Sequence, residues 1–327
     1  MKTLSPLVSI IIPVYNGSNY LKDAIDSALL QTYSNIEVIV INDGSTDGGK
    51  TEKIAKSYGR RIRYYLKSNG GVATALNYGI GKMKGDWFSW LSHDDIYEPY
   101  KIEGQVEYLA KHKSAKIIYS DYELVNKDGL HLHNISVKPN QTSNMQLRLI
   151  DSYPLNGCAM LIHEECFASI GNFDVKLPTT QDYDLWYRFA SKYEYHYLPA
   201  SVLKSRQHEG QGSHLNNHKL EVDRLYDKFI RNLPISTAKQ EKGNNLGNWL
   251  LDVARVYKNR GYHLSPLSVL EKYKLVSPKR GLNYWFTIVY CMLPNRLVIQ
   301  LADLEHKTLR AMYSISGYIK KWSRKII

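Results

Sequence analysis

The first hundred residues carry their apolar positions in short unbroken runs separated by amphipathic stretches. Val8 to Val14 is continuous and rich in β-branched residues, the pattern of a strand buried on both faces. Ser18 or Asn19 can cap a helix running to about Gln31, with Leu21, Ile25, Ala28 and Leu29 on its apolar side. The spacing then predicts strands at Glu37–Asn42, Ile62–Leu66 and Asp86–Leu91, with helices near Asp47–Tyr58 and Val72–Met83 between them. Such alternation implies a parallel sheet covered on both faces. Further strands are expected at Lys116–Tyr119, Gly157–Ile162 and Tyr195–Val202, and helices at about Glu98–His112, Met145–Ile150, Glu164–Ile170 and Asp182–Lys192. Beyond Asn216 the pattern turns helical, with Leu246, Leu250, Val253, Ala254 and Tyr257 at helix spacing. The expected class is α/β: a doubly wound, mostly parallel sheet in residues 1–215, then a helical extension in residues 216–327.

Two of the predicted strands end in acids. Val38 to Ile41 leads into Asn42-Asp43-Gly44-Ser45, and Trp87 to Leu91 leads into Ser92-His93-Asp94-Asp95. In an open α/β sheet, ligands sit beyond the carboxyl ends of parallel strands, so these acids should share one crevice. Acids meeting there suit ribose hydroxyls and a hard divalent cation, hence a nucleotide whose phosphates the cation bridges.

Composition narrows the class only slightly. At 327 residues, 43% of them apolar and 23% charged, the chain can bury a substantial core in one large domain or two. The three cysteines, Cys158, Cys166 and Cys291, are odd in number and lack metal-ligand spacing, which favours a reducing compartment. Met1 to Pro6 runs directly into the first strand without the basic and apolar regions of a secretory signal. The charge-free run between Arg280 and Arg296 is interrupted by Pro294 and falls short of the ~20 residues that a spanning helix needs. A cytoplasmic protein is expected. The net charge of +12 is uneven: residues 216–327 hold 20 Lys and Arg against 8 Asp and Glu, and the remainder is neutral. Nucleic acid, an anionic membrane face, an acidic glycan or simple solvation of a helical surface could each account for that excess.

One motif misleads. Residues 44–51 (GSTDGGKT) satisfy the phosphate-loop pattern G-x-x-x-x-G-K-[ST] and sit between a strand and a helix. Asp43 before the loop and Asp47 within it would place carboxylates beside the triphosphate. The second strand that should end directly in a magnesium-binding acid is interrupted by Ser92 and His93 before Asp94. The phosphate-loop reading is rejected.

Read together, six segments resemble glycosyltransferase family 2 on the GT-A fold. Residues 8–16 (VSIIIPVYN) look like the family's opening strand and nucleotide-contacting turn, which implies donor contacts for Pro13, Tyr15 and Asn16. Gln31-Thr32-Tyr33, then Glu37 to Asp47, resembles the next element. Residues 69–77 (NGGVATALN) match the helix bordering the donor pocket and bring in Gly71 and Asn77. Gly85 to Asp95 matches the strand ending in the metal motif. Gly171 to Asp174, followed by residues 181–186 (QDYDLW), resembles the segment with the catalytic helix. Arg206-Gln207-His208 with Ser213 resembles the final metal-site loop. The resemblance covers roughly residues 7–215.

The resemblance implies an inverting transfer from a nucleotide-sugar, a UDP-sugar by family habit, with Mn2+ or Mg2+. Asp43 would accept hydrogen bonds from the base or ribose. Asp94 would reach the ribose, and Asp95 with His208 the cation. Arg206 would contact phosphate or brace its loop. Asp182 would be the general base, because an acceptor hydroxyl is a poor nucleophile until its proton is removed. Asp184 is its local rival. Two positions depart from the family's usual pattern: Ser92 stands where an Asp is common, and Gln181 where a Glu is common.

The C-terminal third matches no motif. Tyr284 to Leu293 is aromatic and continuously apolar, and Lys320, Lys321, Trp322, Arg324 and Lys325 form a basic end. That composition suits an interfacial helix on an anionic leaflet beside a lipid-linked acceptor, or a helical cap that packs on the catalytic domain or self-associates. No nucleic-acid module is recognisable. The expected function is metal-dependent transfer of a sugar to a glycan or lipid-linked saccharide, as in polysaccharide biosynthesis of the cell envelope. The alternatives are a sugar-phosphate nucleotidyltransferase, which would want a basic, glycine-rich turn after the first strand, and a non-catalytic glycan-binding protein on the same scaffold.

Overall fold

A computed structural model of the chain describes residues 5–139, 144–151, 155–211, 217–277 and 281–294. Ser213 and the basic end at Lys320–Lys325 lie outside these residues. The described residues form two compact units, one reaching Glu221 and one starting at Val222.

The first unit opens with β1 (Val8–Val14), α1 (Leu21–Leu29), β2 (Ile36–Asn42), α2 (Lys50–Lys56), β3 (Arg63–Leu66), α3 (Val72–Ile80) and β4 (Trp87–Trp90). Every residue of β1 is buried, as its unbroken apolar run requires. α1 starts later than expected: Tyr20 stands at its N-terminus and contributes no side-chain cap. There follow β5 (Ile96–Tyr97), α4 (Lys101–Lys111), β6 (Ile117–Val125), β7 (His131–Ile135), α5 (Met145–Ile150), β8 (Leu161–His163), α6 (Glu164–Ile170), α7 (Gln181–Phe189) and β9 (Tyr195–Arg206).

One sheet holds all nine strands in the order β3-β2-β1-β4-β8-β6-β9-β5, with β7 beside β6. β3, β2, β1 and β4 are parallel; β8 runs against both β4 and β6, and β9 runs parallel to β6. The sheet is therefore mostly parallel in direction, as expected. Pairing of β1 with β4 ends at Ile11, so Pro13 lies beyond that ladder and its missing N–H costs nothing on that side.

Two expectations needed correction. Residues 157–159 form a 3-10 turn and not the start of a strand, because Asn156 Oδ1 accepts the Cys158 N–H at 2.9 Å and bends the chain. β6 and β9 run several residues further than their apolar cores, held by mutual pairing up to Val125 and Arg206.

The second unit continues α8 (His218–Asn232) and adds α9 (Ile235–Lys242), α10 (Leu246–Asn259), α11 (Leu264–Val276) and α12 (Leu282–Met292). Tyr226 stacks on Tyr257 and Tyr273 on Tyr284, at 4.9 and 5.0 Å between ring centroids. Asp223 caps α11 by accepting from the amides of His263, Leu264 and Ser265 at 2.7–2.9 Å. Burial pushes that carboxyl up, but those donors outweigh it and hold it below the usual carboxylate range. Among the described residues, no helix is long and apolar enough to cross a membrane.

Gly157 sits where two indoles meet. A β-carbon there would lie 2.7 Å from Trp90 Cε3 and 3.0 Å from Trp186 Cζ2, both on buried rings that cannot yield. Gly157→Ala should cost about 1–3 kcal/mol through overpacking, read as a lowered denaturation midpoint with unchanged m-value.

Candidate active site

The strand order reverses at β1: β2 and β3 lie to one side and β4 to the other, which opens a crevice beyond the carboxyl ends of β1 and β4. β2 and β4 both border β1, so at about 4.8 Å per strand their ends stand roughly 10 Å apart. Asp43 leaves β2 directly, and Asp94 lies four residues past the end of β4.

Asp43 is buried and already well supplied with donors. Its carboxylate accepts from Lys67 Nζ at 2.5 Å, from Gly71 N–H at 2.7 Å and from Gly70 N–H at 3.1 and 3.2 Å. Gly71 can present its N–H because it holds φ 86°, a conformation costly for any residue with a β-carbon. A carboxylate has about four lone-pair sites, and the split Gly70 bond leaves roughly one to spare for a ligand.

The neighbouring turn is laced to the same loop. Asn16, at φ 50°, donates its N–H to Ser45 Oγ at 2.9 Å, and its side-chain oxygen accepts the Thr46 N–H at 2.7 Å. Pro13 is buried in β1, whereas the Tyr15 ring is exposed beside Thr46, with 3.4 Å between their hydroxyl oxygens. Of these three, Tyr15 and Asn16 are exposed, and Pro13 is not. Both ends of the Asn77 amide pair with the Phe173 backbone, at 2.9 and 3.0 Å. This pairing fastens the segment before α7 to α3.

Beyond β4, His208 Nε2 lies 2.8 Å from Asp94 Oδ2. Its Nδ1 accepts the Gly210 N–H at 3.2 Å, so the proton sits on Nε2 and points at the carboxylate. Asp95 faces the other way. It is buried, and its Oδ1 accepts the backbone N–H of Arg206 at 2.9 Å. Burial first, then the charge of Asp94, raise Asp95 well above the usual carboxylate range, against the pull of that N–H. The expected division, Asp94 on ribose and Asp95 with His208 on the cation, is thus not the pairing seen: Asp94 meets His208, and Asp95 anchors the loop from behind.

Arg206 braces its loop, with each side-chain nitrogen bonded once. Its Nε donates to Asp94 O at 2.9 Å, Nη1 to Lys127 O at 2.7 Å and Nη2 to Asp23 Oδ2 at 3.3 Å, and the guanidinium lies 4.3 Å from the centroid of Tyr20. Asp23, Lys127 and Tyr20 went unnoticed in the sequence because nothing in their spacing ties them to residue 206.

Asp182 and Asp184 separate cleanly. Asp184 is buried and paired with Arg188 Nε at 2.7 Å. Asp182 is half-buried in the first turn of α7. Loss of water raises its carboxyl to about 6; the amides of Tyr183 and Asp182 oppose this, and the charge of Glu221 adds a smaller push. Glu221 also holds the start of α7, accepting from Thr179 N–H, Thr180 N–H and Thr180 Oγ1 at 3.0, 2.9 and 2.7 Å. Trp186, one turn on and on the same helix face, packs on Phe173 at 5.9 Å between centroids. Phe173 in turn meets Trp90 at 6.2 Å, which ties α7 to the end of β4.

The rejected phosphate loop is accounted for as well. Thr51 is fully buried, and its hydroxyl and N–H both go to Asp47 Oδ2, at 2.6 and 3.0 Å. Asp47 thus holds the first turn of α2, with the buried Thr51 hydroxyl turned to it.

The doubly wound sheet thus carries a carboxylate–imidazole pair beyond β4, and a separate half-buried acid stands in the first turn of α7. The glycosyl transferase family 2 model matches residues 9–171, and the chain belongs to that family. An uncharacterized glycosyltransferase of Rickettsia typhi (strain ATCC VR-144 / Wilmington) is 46% identical over 267 residues, 80% of this chain and 82% of that one. Another from Rickettsia felis is 51% identical over 233 residues, but there the match spans 70% of this chain and only 39% of the relative. Among solved structures, residues 1–349 of S. aureus TarS in complex with UDP-GlcNAc superpose with TM-score 0.59 at 17% identity, over 83% of this chain and 90% of that one. That likeness shows the fold, which is GT-A.

The two acids of α7 should respond oppositely to amidation. Asp182 titrates at about 6 when folded against 3.8 as a free side chain, so its contribution favours folding below pH 4 and is lost as pH rises through 6. Asp182→Asn should therefore stabilise the protein by about 1–3 kcal/mol at neutral pH, with the gain shrinking toward pH 4. Asp184→Asn should destabilise it by about 1–3 kcal/mol by weakening a buried charge-assisted bond. Denaturant titrations of both variants at several pH values check this.

Proposed function

We propose that the chain transfers a sugar, with inversion, from a UDP-sugar to a hydroxyl of a glycan or lipid-linked saccharide. The observation carrying this reading is the 2.8 Å approach of His208 Nε2 to Asp94 Oδ2 at the mouth of the crevice. A hard carboxylate oxygen and an imidazole nitrogen this close would together hold a divalent cation once Nε2 gives up its proton. The nitrogen favours Mn2+ over Mg2+, which prefers oxygen. Among the described residues there is no group of three or more such ligands, so diphosphate oxygens and water would complete the shell. When bound, the cation neutralises charge on the departing diphosphate.

The chain's own groups do the rest. Asp43, with its one spare acceptor site, receives an N–H of the base or a ribose hydroxyl, and the exposed Tyr15 ring offers the base a surface. Asp182, near 6, is ionised at neutral pH yet basic enough to take the acceptor's proton. As the acceptor oxygen bonds to the anomeric carbon, the bond from that carbon to the β-phosphate oxygen breaks; the proton ends on Asp182 and the electron pair on UDP. The TarS neighbour, solved with UDP-GlcNAc, supports a uridine donor of this kind. The turn after β1 holds Tyr15 and Asn16 and no basic residue, which counts against a nucleotidyltransferase.

Release of UDP from a panel of UDP-sugars with Mn2+ and a saccharide acceptor tests the reading. Asp182→Asn should lower kcat by about 10²–10⁴-fold while UDP binding survives, and the wild-type rate should fall on the acid side with an apparent pKa near 6. His208→Ala and Asp94→Asn should each weaken Mn2+-dependent UDP binding by at least about tenfold in calorimetry. Pyrophosphate release from UTP and a sugar phosphate would overturn the assignment.

A further inference from the structure

Helix α12 shows two unlike faces. Tyr284, Thr287 and Cys291 are buried against its own unit. Leu282, Trp285, Phe286, Val289 and Met292 form a single stripe on the opposite side, and Leu282, Phe286 and Met292 are 91%, 73% and 74% exposed. The helix is not loosely held. Arg255 Nε donates to Thr287 Oγ1 at 3.1 Å, Arg255 also bonds Asn283, and the Tyr290 hydroxyl meets Asn259 Oδ1 at 2.5 Å. An apolar face of five large side chains is presented by a helix whose polar bonds all lie elsewhere. Soluble surfaces scatter such residues singly; a contiguous patch marks something that covers it.

We infer that this face of α12 lies in the interface of an anionic lipid bilayer. Charge selects this occupant. Between Glu271 and Asp303 the sequence has five basic residues and no acid, and the whole +12 excess lies in residues 216–327. A second copy pressed against the same face would bring like charges together, whereas an anionic leaflet attracts each base near its surface. Phe, Leu and Met side chains enter the acyl boundary, and the half-exposed Trp285 suits the headgroup level. At 11 residues α12 is too short to span, so it lies along the surface. This inference does not depend on the reading of the catalytic site.

The full chain, incubated without donor, is sedimented with vesicles of phosphatidylcholine alone or mixed with phosphatidylglycerol. It should partition onto the mixed vesicles and be partly released by salt. The pairs Phe286→Asp with Val289→Asp, and Phe286→Ser with Val289→Ser, alter exposed side chains only. Each pair should lower partitioning by at least about tenfold, with thermal unfolding and UDP binding unchanged. No partitioning onto the mixed vesicles, equal partitioning onto both kinds, or full retention by the folded pairs overturns the inference. So does a dimer in sedimentation velocity that the substitutions dissolve without any vesicle binding, since the covering surface is then a second copy.

Discussion

Arg206 ends the long strand β9 with its guanidinium buried, and its main-chain N–H and all three side-chain nitrogens bonded to other parts of the unit. Through them the last strand of the sheet grips the turn after β4, the loop at Lys127 and the first turn of α1. A buried cation without those acceptors would be strongly destabilising, so the fold can close only with Asp94 and Asp95 held against β9. His208 follows two residues later and has little choice but to meet Asp94. The geometry of the candidate cation pair is thus a by-product of satisfying one guanidinium.

The carboxylates around the crevice divide by what surrounds each. Asp43 receives a lysine and two backbone N–H groups, which fix the loop leading into α3. Asp95 and Asp184 lie inside, bonded to Arg206 N–H and to Arg188, and hold backbone in place. Asp94 shares a single proton with an imidazole, and Asp182 has only amides of its own helix turn to offset burial. The proposed cation site and general base rest on these last two, whose surroundings compensate them least.

The second unit follows a different logic. Stacked tyrosines and the Asp223 cap give it a core of its own, while α12 turns an apolar stripe outward. The chain's excess of positive charge also falls in this third of the sequence, whereas the charges of the first unit balance.

Much of this architecture was legible in the chain itself, because side-chain periodicity reports burial directly. The unbroken run of β1, the acids closing β2 and the segment after β4, and the helical spacing beyond residue 216 all emerged as expected. Local chemistry likewise separated Asp43 from a phosphate loop, since a neighbouring acid is visible without coordinates. What pairing decided was beyond reach. Whether Asp94 or Asp95 faces His208 depends on which way a turn rotates, and that is set by an N–H more than a hundred residues away. The pairing of Asn77 with the Phe173 backbone and that of Asp184, the local rival of Asp182, with Arg188 appear only in the folded chain. Sequence determines which groups are available and the period on which they lie; only the folded chain decides which of them find partners inside, because that depends on contacts that no spacing along the chain encodes.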